Sequence, residues 1–251
     1  MPHRLPTDPP FLATVSLRRE LVDSFDVFPY SIPAIRHLHT LALHPNVTFF
    51  VGENGSGKST LLEAIAVAEG FNPEGGSRNA MFATKDTHNQ ELPRKLQLGR
   101  KLIPRGDSFF LRAESFYNLS SYIDQLGFAP AKNPYGAIPL HQQSHGEAFL
   151  TLMVHRFTGN GLYLFDEPEA ALSPQRQLTF LAALHGLVQA GGQFIIATHS
   201  PILLAYPQAT ILQFSAAGIA PVAYEETEHY KVTKGFLNRT AKFLEELLTD
   251  D

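Results

Sequence analysis

The chain has 251 residues, of which 44% are hydrophobic and 18% charged, and its formal net charge is −4. This length suits one large α/β domain with a full core, so we predict a single domain over residues 1–251. The absence of cysteine excludes disulfides and thiolate metal sites and is typical of a cytoplasmic protein. No apolar run approaches the roughly 18 residues of a membrane helix, and the N-terminus lacks the apolar segment of a signal peptide.

The N-terminal part of the chain leads through a predicted strand, Phe11 to Leu17, to a glycine-rich loop. Phe49 to Thr60 reads FFVGENGSGKST, with an apolar run before the loop and good helix formers after it. The order strand, loop, helix is the context in which this pattern predicts a P-loop. Backbone N–H groups and the helix N-terminus would then cradle phosphates; the residues concerned are Gly52, Glu53, Asn54, Gly55, Ser56, Gly57, Lys58, Ser59 and Thr60.

Two side chains of this loop carry specific predictions. Lys58 would reach the β- and γ-phosphates of a nucleotide, and Ser59 would offer its hydroxyl to Mg²⁺. The sequence upstream contains the aromatic stretch DVFPYSIPAI. We predict that it is extended, because its two prolines argue against a helix. Phe28 or Tyr30 could stack on an adenine ring, although packing in the core is the interpretation that aromatic side chains favour in general.

The middle of the chain offers a basic interval and a capped helix. From Arg78 to Arg105 there are seven basic and two acidic residues, which indicates either a face for nucleic acid or an acidic partner, or an ordinary solvated surface. Phe109 to Phe116 is a predicted buried strand, and Tyr117 to Leu126 a helix. Ser144 and Glu147 have the spacing of a capping box at the start of a further helix.

Acidic residues follow the next predicted strand, Gly161 to Phe165. Adjacent carboxylates at the end of a buried strand are costly unless they bind something, so Asp166 is the predicted Mg²⁺ ligand in a P-loop protein. Glu167 would accept a proton from the attacking water. Another buried strand, Gln193 to Thr198, ends in His199 at the edge where α/β sheets place their ligands.

The C-terminal part has no repeat. Ser173 and Pro174 start a predicted helix, Thr210 to Tyr224 is a predicted hairpin, and the tail from Glu225 is a predicted amphipathic helix on the domain edge.

Four stretches in this order, GENGSGKS, QQSHGE, LYLFDEPEAALS and FIIATHS, together resemble the ATP-binding-cassette (ABC) ATPases. The chain looks most similar to the small stand-alone AAA_21-type ATPases of that class. The resemblance implies an α/β P-loop fold with a largely parallel central sheet flanked by helices, an antiparallel β portion and a small helical subdomain near residues 117–152. It implies ATP and Mg²⁺ as cofactors, catalytic roles for Lys58, Glu167 and His199, and metal ligation by Ser59 and Asp166.

The resemblance also gives QQSHGE a role. Ser144, His145, Gly146 and Glu147 match the family signature that binds the γ-phosphate held by another subunit, with His145 in place of a glycine. This implies a head-to-tail homodimer that forms on ATP binding. The family places glutamine at the end of the strand before the helical subdomain, whereas this chain has Arg112 to Ser115, so Glu114 is the candidate for that Q-loop role; a salt-bridged or capping acid is the alternative.

For the function, we predict Mg-dependent ATP hydrolysis at the dimer interface as a switch for an unidentified protein or nucleic-acid partner. Alternatives are the ATP-hydrolysing subunit of a transporter, and a DNA-associated maintenance or defence ATPase. The stretch between Lys58 and Ser144 is too short for the coiled-coil arms of chromosome-organising ATPases.

Overall fold

The computed structural model describes residues 11–78, 91–101, 107–128, 133–136 and 138–249. The strands are β1 Leu12–Leu17, β2 Thr40–Ala42, β3 Val47–Val51, β4 Gly76–Ser77, β5 Leu96–Arg100, β6 Asp107–Arg112, β7 Gly161–Asp166, β8 Gln193–Ala197, β9 Thr210–Ser215 and β10 Gly218–Pro221. The helices are α1 Pro33–Arg36, α2 Lys58–Ala68, α3 Glu91–Lys95, α4 Phe116–Gln125, α5 His145–Arg156, α6 Pro174–Gln189, α7 Pro201–Leu204, α8 Glu228–Asn238 and α9 Thr240–Leu248.

A seven-stranded sheet in the order β10-β9-β3-β8-β7-β6-β4 forms the centre of the protein. The five inner strands, β9, β3, β8, β7 and β6, run parallel, and the edge strands β10 and β4 are antiparallel to their neighbours. A separate antiparallel sheet has the order β2-β1-β5. The predicted fold, a largely parallel sheet with an antiparallel β portion, is therefore confirmed.

The central sheet is buried on both faces, as expected for parallel strands with covering layers. In β3, Val47, Phe49 and Val51 face one core cluster together with residues of α4, α5 and α6. Phe50 faces the other cluster, which contains α2 and the small antiparallel sheet. Side chains alternate between the two faces of a strand, so a nearly continuous apolar run such as VTFFV supplies both cores.

The helical subdomain consists of α4, a short 3-10 turn at Leu140–Gln142, and α5. The carboxylate of Asp124, near the end of α4, accepts hydrogen bonds from the backbone N–H groups of Leu140 and His141 at 3.0 and 2.9 Å. Phe116 of α4 packs against Phe149 of α5 with ring centroids 5.8 Å apart. These contacts hold the 3-10 turn and α5 against α4.

The C-terminal tail is helical and amphipathic, as predicted, but it packs on the domain edge less than predicted. It forms two helices, α8 and α9, that meet at Arg239, and none of their side chains is buried. Their exposed apolar residues are Val232, Leu237, Leu244, Leu247 and Leu248. The amphipathic pattern was correct, but α8 meets the domain mainly at its first turns, beside α7.

No helix within the described ranges is long and apolar enough to cross a membrane.

Because β3, β6, β7 and β8 are parallel, their C-terminal ends lie at one edge of the sheet. That edge receives the glycine-rich loop after β3, Ala113 and Glu114 after β6, Glu167 after β7 and His199 after β8. This is the edge at which open α/β sheets bind ligands.

Candidate nucleotide site

The loop between β3 and α2 adopts a backbone that requires glycine. Gly57 has a φ of +99° and precedes the first residue of α2, and a Cβ built on it would lie 2.8 Å from Cγ2 of Ile32. A Cβ on Gly52 would lie 2.5 Å from the carbonyl oxygen of Phe214 in β9. The loop is thus packed tightly between α1 and β9, with the N–H groups of the α2 terminus available to an anion.

Lys58, the first residue of α2, is buried inside this loop. Its Nζ donates hydrogen bonds to the carbonyl oxygens of Gly52 at 2.8 Å and Glu53 at 3.0 Å. Burial lowers the pKa of the ammonium group, and the nearby carboxylates of Glu167 and Asp166 oppose that shift. The loop therefore folds around a positive charge placed where phosphate would be bound.

Ser59, in the first turn of α2, is in direct contact with Asp166 at the end of β7. The hydroxyl of Ser59 donates to Oδ1 of Asp166 at 2.8 Å. Burial raises the pKa of Asp166 to about 6, while the hydrogen bond from Ser59 and the charge of Arg112 act to lower it. A hydroxyl and a buried carboxylate are hard oxygen ligands of the kind that Mg²⁺ prefers.

The two oxygen ligands fit a magnesium ion whose remaining ligands come from phosphate. Within the described residues there is no group of three or more His, Cys, Asp or Glu side chains that could hold a metal alone. Mg²⁺ is usually held by one or two carboxylates together with substrate phosphates, so the Ser59–Asp166 pair matches that pattern.

Arg112 ends β6 directly opposite Asp166, its register partner in β7. The guanidinium group lies between three carboxylates: Nη1 is 2.9 Å from Glu63, Nη2 is 3.2 Å from Glu114, and Nε is 3.7 Å from Asp166. In the sequence, Arg112 stands out only as part of the departure from the family's Q-loop. Its position at a strand end next to β7 was the signal that could have placed it in the site.

Glu167 and His199 face each other from the ends of β7 and β8. Oε1 of Glu167 lies 3.7 Å from Nε2 of His199. Glu167 has a φ of +51°, a left-handed conformation that costs a non-glycine residue on the order of 1–3 kcal/mol. Its backbone N–H donates to the carbonyl of Ala197 in β8 at 2.9 Å, which holds this conformation and aims the carboxylate at the sheet edge.

Two further residues, neither of them predicted from the sequence, hold His199 in place. The carboxylate of Glu169 accepts a hydrogen bond from the backbone N–H of His199 at 2.5 Å, and burial raises the pKa of that carboxyl group. On the other side, Nδ1 of His199 lies 2.9 Å from Nε2 of His229 in the first turn of α8. Glu169 belongs to the DEPE run, but nothing in the sequence pointed to His229.

The predicted signature stretch forms the start of α5. Ser144 is the N-cap and Glu147 completes the capping box that the sequence predicted. The backbone N–H and the hydroxyl of Ser144 both donate to Oε2 of Glu147, at 3.0 and 2.7 Å. Arg176 of α6 also donates to Ser144 Oγ at 3.0 Å and to Glu147 at 2.9 Å. The hydrogen bonds from Ser144 and the charge of Arg176 lower the pKa of Glu147.

The structure gives a physical reason for the histidine in this signature. Gly146 is buried, and a Cβ there would lie 2.7 Å from the carbonyl oxygen of Ala171, in the short 3-10 turn after Glu167. His145 precedes it and is exposed. The Gly146 position of the signature therefore requires glycine, whereas the His145 position before it has room for a side chain.

A cavity of about 520 Å³ connects these elements along the sheet edge. It is lined by residues of the predicted metal, base, signature and Q-loop positions and of the turn after Glu167: Ser59, Arg112, Ala113, Glu114, His145, Asp166, Glu167, Ala170 and Ala171. The side chain of Glu114 is 85% exposed there and forms a salt bridge with Arg112, which is the alternative that the sequence left open for this residue. Its Q-loop role stays a prediction, as does the use of Ser144 by a second copy.

The two aromatic candidates for adenine stacking separate clearly. Tyr30 is only 3% exposed, packs edge-on against Phe25 and lies under the Nζ of Lys95, so no face of its ring is open to a base. The core-packing interpretation is right for Tyr30, and the stacking prediction for it is wrong. Phe28 is 66% exposed and lines a smaller cavity, about 270 Å³, together with Thr60 and Glu63 of α2.

Two family models match the chain. Residues 28–101 match a model described as AAA domain, and residues 130–205 match one described as AAA domain, putative AbiEii toxin, Type IV TA system. The first match contains the glycine-rich loop, and the second contains the signature stretch, Asp166, Glu167 and His199.

A curated relative is the cytochrome c biogenesis ATP-binding export protein CcmA of Rhizobium etli. It is 26% identical over 167 residues, which cover 60% of this chain and 74% of that protein. Solved structures with similar folds include the SMC head domain from Thermotoga maritima, at 15% identity and a TM-score of 0.45, covering 84% of this chain and 99% of that one. The cbiO1 structure from Clostridium perfringens has 17% identity and a TM-score of 0.45, covering 83% and 91%.

The motifs occur in the family's order, and the parallel sheet brings them to one edge. Both family models are described as AAA domains, and the curated relative is named as an ATP-binding export protein. The two AAA-domain matches and the ATP-binding relative, together with motifs that converge at one sheet edge, support a P-loop ATPase of the ATP-binding-cassette type that binds and hydrolyses ATP.

Proposed function

We propose that the chain hydrolyses Mg-ATP at an interface between two of its own copies, and that closing and opening of this dimer acts as a switch for a partner. One observation carries the proposal: Lys58, the Ser59–Asp166 pair and the Glu167–His199 pair converge at one sheet edge. These are the groups that phosphoryl transfer to water needs, a cationic phosphate cradle, a metal ligand pair, and a base beside the reacting phosphate.

Each residue has a role in this scheme. The loop N–H groups and Lys58 bind the β- and γ-phosphates, and the exposed ring of Phe28 stacks on adenine. Ser59 and Asp166 hold Mg²⁺, which when bound neutralises charge on the phosphate oxygens. Glu167 orients the attacking water and accepts its proton, His199 contacts the γ-phosphate, and Glu114 reaches the same cavity.

The second copy supplies the signature. Ser144, His145, Gly146 and Glu147 would approach the γ-phosphate with the N-terminal N–H groups of α5, a location that suits an anion. Arg176 beside Ser144 offsets the negative charge of Glu147 there. Because the added contacts exist only while the γ-phosphate is present, ATP favours the closed dimer and hydrolysis favours the open one.

The decisive experiment is Glu167→Gln, which keeps the shape of the side chain but removes the base. We expect kcat to fall by about a hundredfold or more, with ATP binding retained and a dimer that persists in ATP by light scattering. Glu226→Gln, which changes an exposed carboxylate paired with Lys231, is the matched control and should behave as wild type. Wild-type turnover in Glu167→Gln would contradict the proposed base.

A protein is the better-supported partner for the switch. In the described part of the basic interval, Arg78 and Arg100 both pair with buried Glu69, and Lys95 pairs with Asp23 and Glu91. Those charges are used within the domain, which supports the solvated-surface interpretation over a nucleic-acid face. The description of the second matching family, which names a toxin–antitoxin system, supports a regulatory role. DNA-stimulated ATPase activity with a steep salt dependence would contradict this preference.

Transport is the second candidate, because the curated relative is named as an export protein. The helical subdomain exposes apolar residues that a membrane partner could cover: Tyr117, Leu126, Phe128, Ile138 and Val154. Purification of the ATP-bound Glu167→Gln protein from a membrane fraction, in a complex with a membrane-spanning protein, would support transport. Recovery only as a free homodimer would support the switch.

A further inference from the structure

His199 is bonded to a second histidine from a distant part of the chain. Its Nδ1 lies 2.9 Å from Nε2 of His229, the ring centroids are 5.0 Å apart, and the ring planes meet at 54°. Both side chains are half-buried. The two rings therefore meet edge to edge through one nitrogen each, which is hydrogen-bond geometry and not stacking.

The start of α8 is fixed in place by several contacts, so this pairing is built into the fold. Thr227 is fully buried, caps α8 by accepting from the N–H of Tyr230, and donates to the carbonyl of Tyr224 at 2.7 Å. The hydroxyl of Tyr224 in turn donates to the carbonyl of Pro201 at 2.9 Å. Pro201 follows His199 by two residues, so the same contacts that anchor α8 place His229 beside His199.

The number of protons on the two rings limits how they can be hydrogen-bonded to each other. Burial and the charge of Lys58 lower the pKa of both rings, so both are neutral near pH 7. A neutral pair at this distance holds one proton between the two nitrogens, and each ring carries its proton on only one nitrogen. Either His199 donates and keeps a bare Nε2, or His229 donates and His199 carries its proton on Nε2.

The position of Glu167 favours donation by His229. Nε2 of His199 lies 3.7 Å from the carboxylate of Glu167, which attracts an N–H and repels a lone pair. Nδ1 of His229 and Nε2 of His199 are both buried without a hydrogen-bond partner among the described residues, so either arrangement leaves one buried N–H unpaired and the charge of Glu167 decides between them. The charged groups that act on His229 are Lys58, Glu53 and Glu228, and none of them bonds to its Nδ1.

We propose that His229 is a positioning residue for ATP hydrolysis: it donates from Nε2 to Nδ1 of His199 and so keeps a proton on the His199 Nε2 that faces Glu167 and the γ-phosphate. This inference rests on the proposed role of His199 as a phosphate contact. A phosphate oxygen needs a donor, so a bare Nε2 would make His199 ineffective. The C-terminal helix α8 thereby takes part in the active site.

The kinetic test compares two substitutions at one position. His229→Leu fills similar space without a donor, and we expect kcat to fall about tenfold, the usual range for the partner of a functional histidine, with KM for ATP within about twofold. His229→Gln places an amide N–H₂ near the former Nε2 and should restore most of the lost kcat. His185→Leu is the matched control, since it removes another half-buried histidine, bonded to Tyr206 at 3.0 Å away from the site; it should keep wild-type kcat.

Imidazole ¹⁵N NMR gives a readout that does not depend on turnover. Wild-type His199, assigned by comparison with His199→Gln, should be the Nε2–H tautomer, and His229→Leu should shift it toward a mixture. The inference is overturned by an Nδ1–H tautomer in the wild type, by wild-type kcat in His229→Leu, or by equal losses in the leucine and glutamine variants. If the wild type and Glu167→Gln have the same turnover, the proposed function fails instead, while the tautomer measurement still tests the pair.

Discussion

The phosphate-loop half of the site and the signature half are built in different ways. Lys58 and Asp166 are buried, and main-chain groups at the ends of parallel strands hold the residues around them. Ser144 and Glu147 are exposed at the end of one helix, held by each other and by Arg176. The first half is therefore preorganised by the core of one chain, whereas the second has a free face that another molecule can approach.

The largest effect should follow from breaking the buried half. Lys58→Ala removes the ammonium group that the loop surrounds. Loss of a buried charge from a phosphate contact costs about 2–5 kcal/mol, which weakens binding by roughly thirtyfold to several thousandfold in Kd. Isothermal titration with ATP measures this directly. Lys231→Ala, which removes an exposed lysine paired with Glu226, is the control and should bind ATP normally. Undiminished affinity in Lys58→Ala would contradict the whole site.

The next test asks which copy uses the signature. Lys58→Ala and Ser144→Ala should each be inactive alone if the site is shared between subunits. An equimolar mixture should recover roughly a quarter of wild-type activity, because half of the randomly formed dimers are mixed and each has one intact site of two.

The alternative to a shared site is that the signature serves the P-loop of its own chain. His145 lines the same cavity as Ser59 and Asp166 of its own chain. If mixing recovers nothing while each variant stays folded by circular dichroism, the signature serves its own chain and the proposed dimer site is wrong. Subunit exchange, followed with differently tagged copies, is the control that the mixture was formed.

The smallest effect concerns the two aromatic residues near the loop. Phe28→Ala removes an exposed ring and should weaken ATP binding about tenfold, as stacking on a base is worth on the order of 1–3 kcal/mol, while the melting temperature stays near that of wild type. Tyr30→Ala should lower the melting temperature and leave the ring of Phe28 available to ATP. It removes a large side chain from the core, which typically lowers the free energy of unfolding by about 3–5 kcal/mol. Calorimetric melting and ATP titration of both variants separate the two roles, and equal behaviour would contradict them.

Much of the fold could be predicted because local signals agreed with tertiary structure. The run VTFFV before a glycine-rich loop predicted a buried strand, and the structure places it in the middle of the parallel sheet as β3. The spacing of Ser144 and Glu147 predicted a capping box, and both of its hydrogen bonds are present. The residues of the capping box are neighbours in the sequence, so that pattern contains the geometry. For β3, whose partners are distant in the chain, the unbroken apolar run was enough to indicate burial on both faces.

The errors arose where a contact joins distant residues. Tyr30 and Phe28 lie two positions apart and look alike in sequence, yet the core takes one and leaves the other in solvent. The tail had the right amphipathic pattern, but periodicity does not say which face of a helix will find a partner.

The amino-acid sequence by itself determined the chemistry of the site: the glycines of the loop, Lys58, Ser59, Asp166, Glu167 and His199 were recognisable from residue type and spacing. Only the tertiary structure decided what stands beside them. Arg112 reaches Asp166 because β6 pairs with β7, and Arg176 reaches Ser144 because α6 lies beside α5. His229 reaches His199 because the anchor of α8 folds back on α7. The physical reason is that side-chain chemistry is local, whereas the partner that orients it comes from packing between elements far apart in the chain.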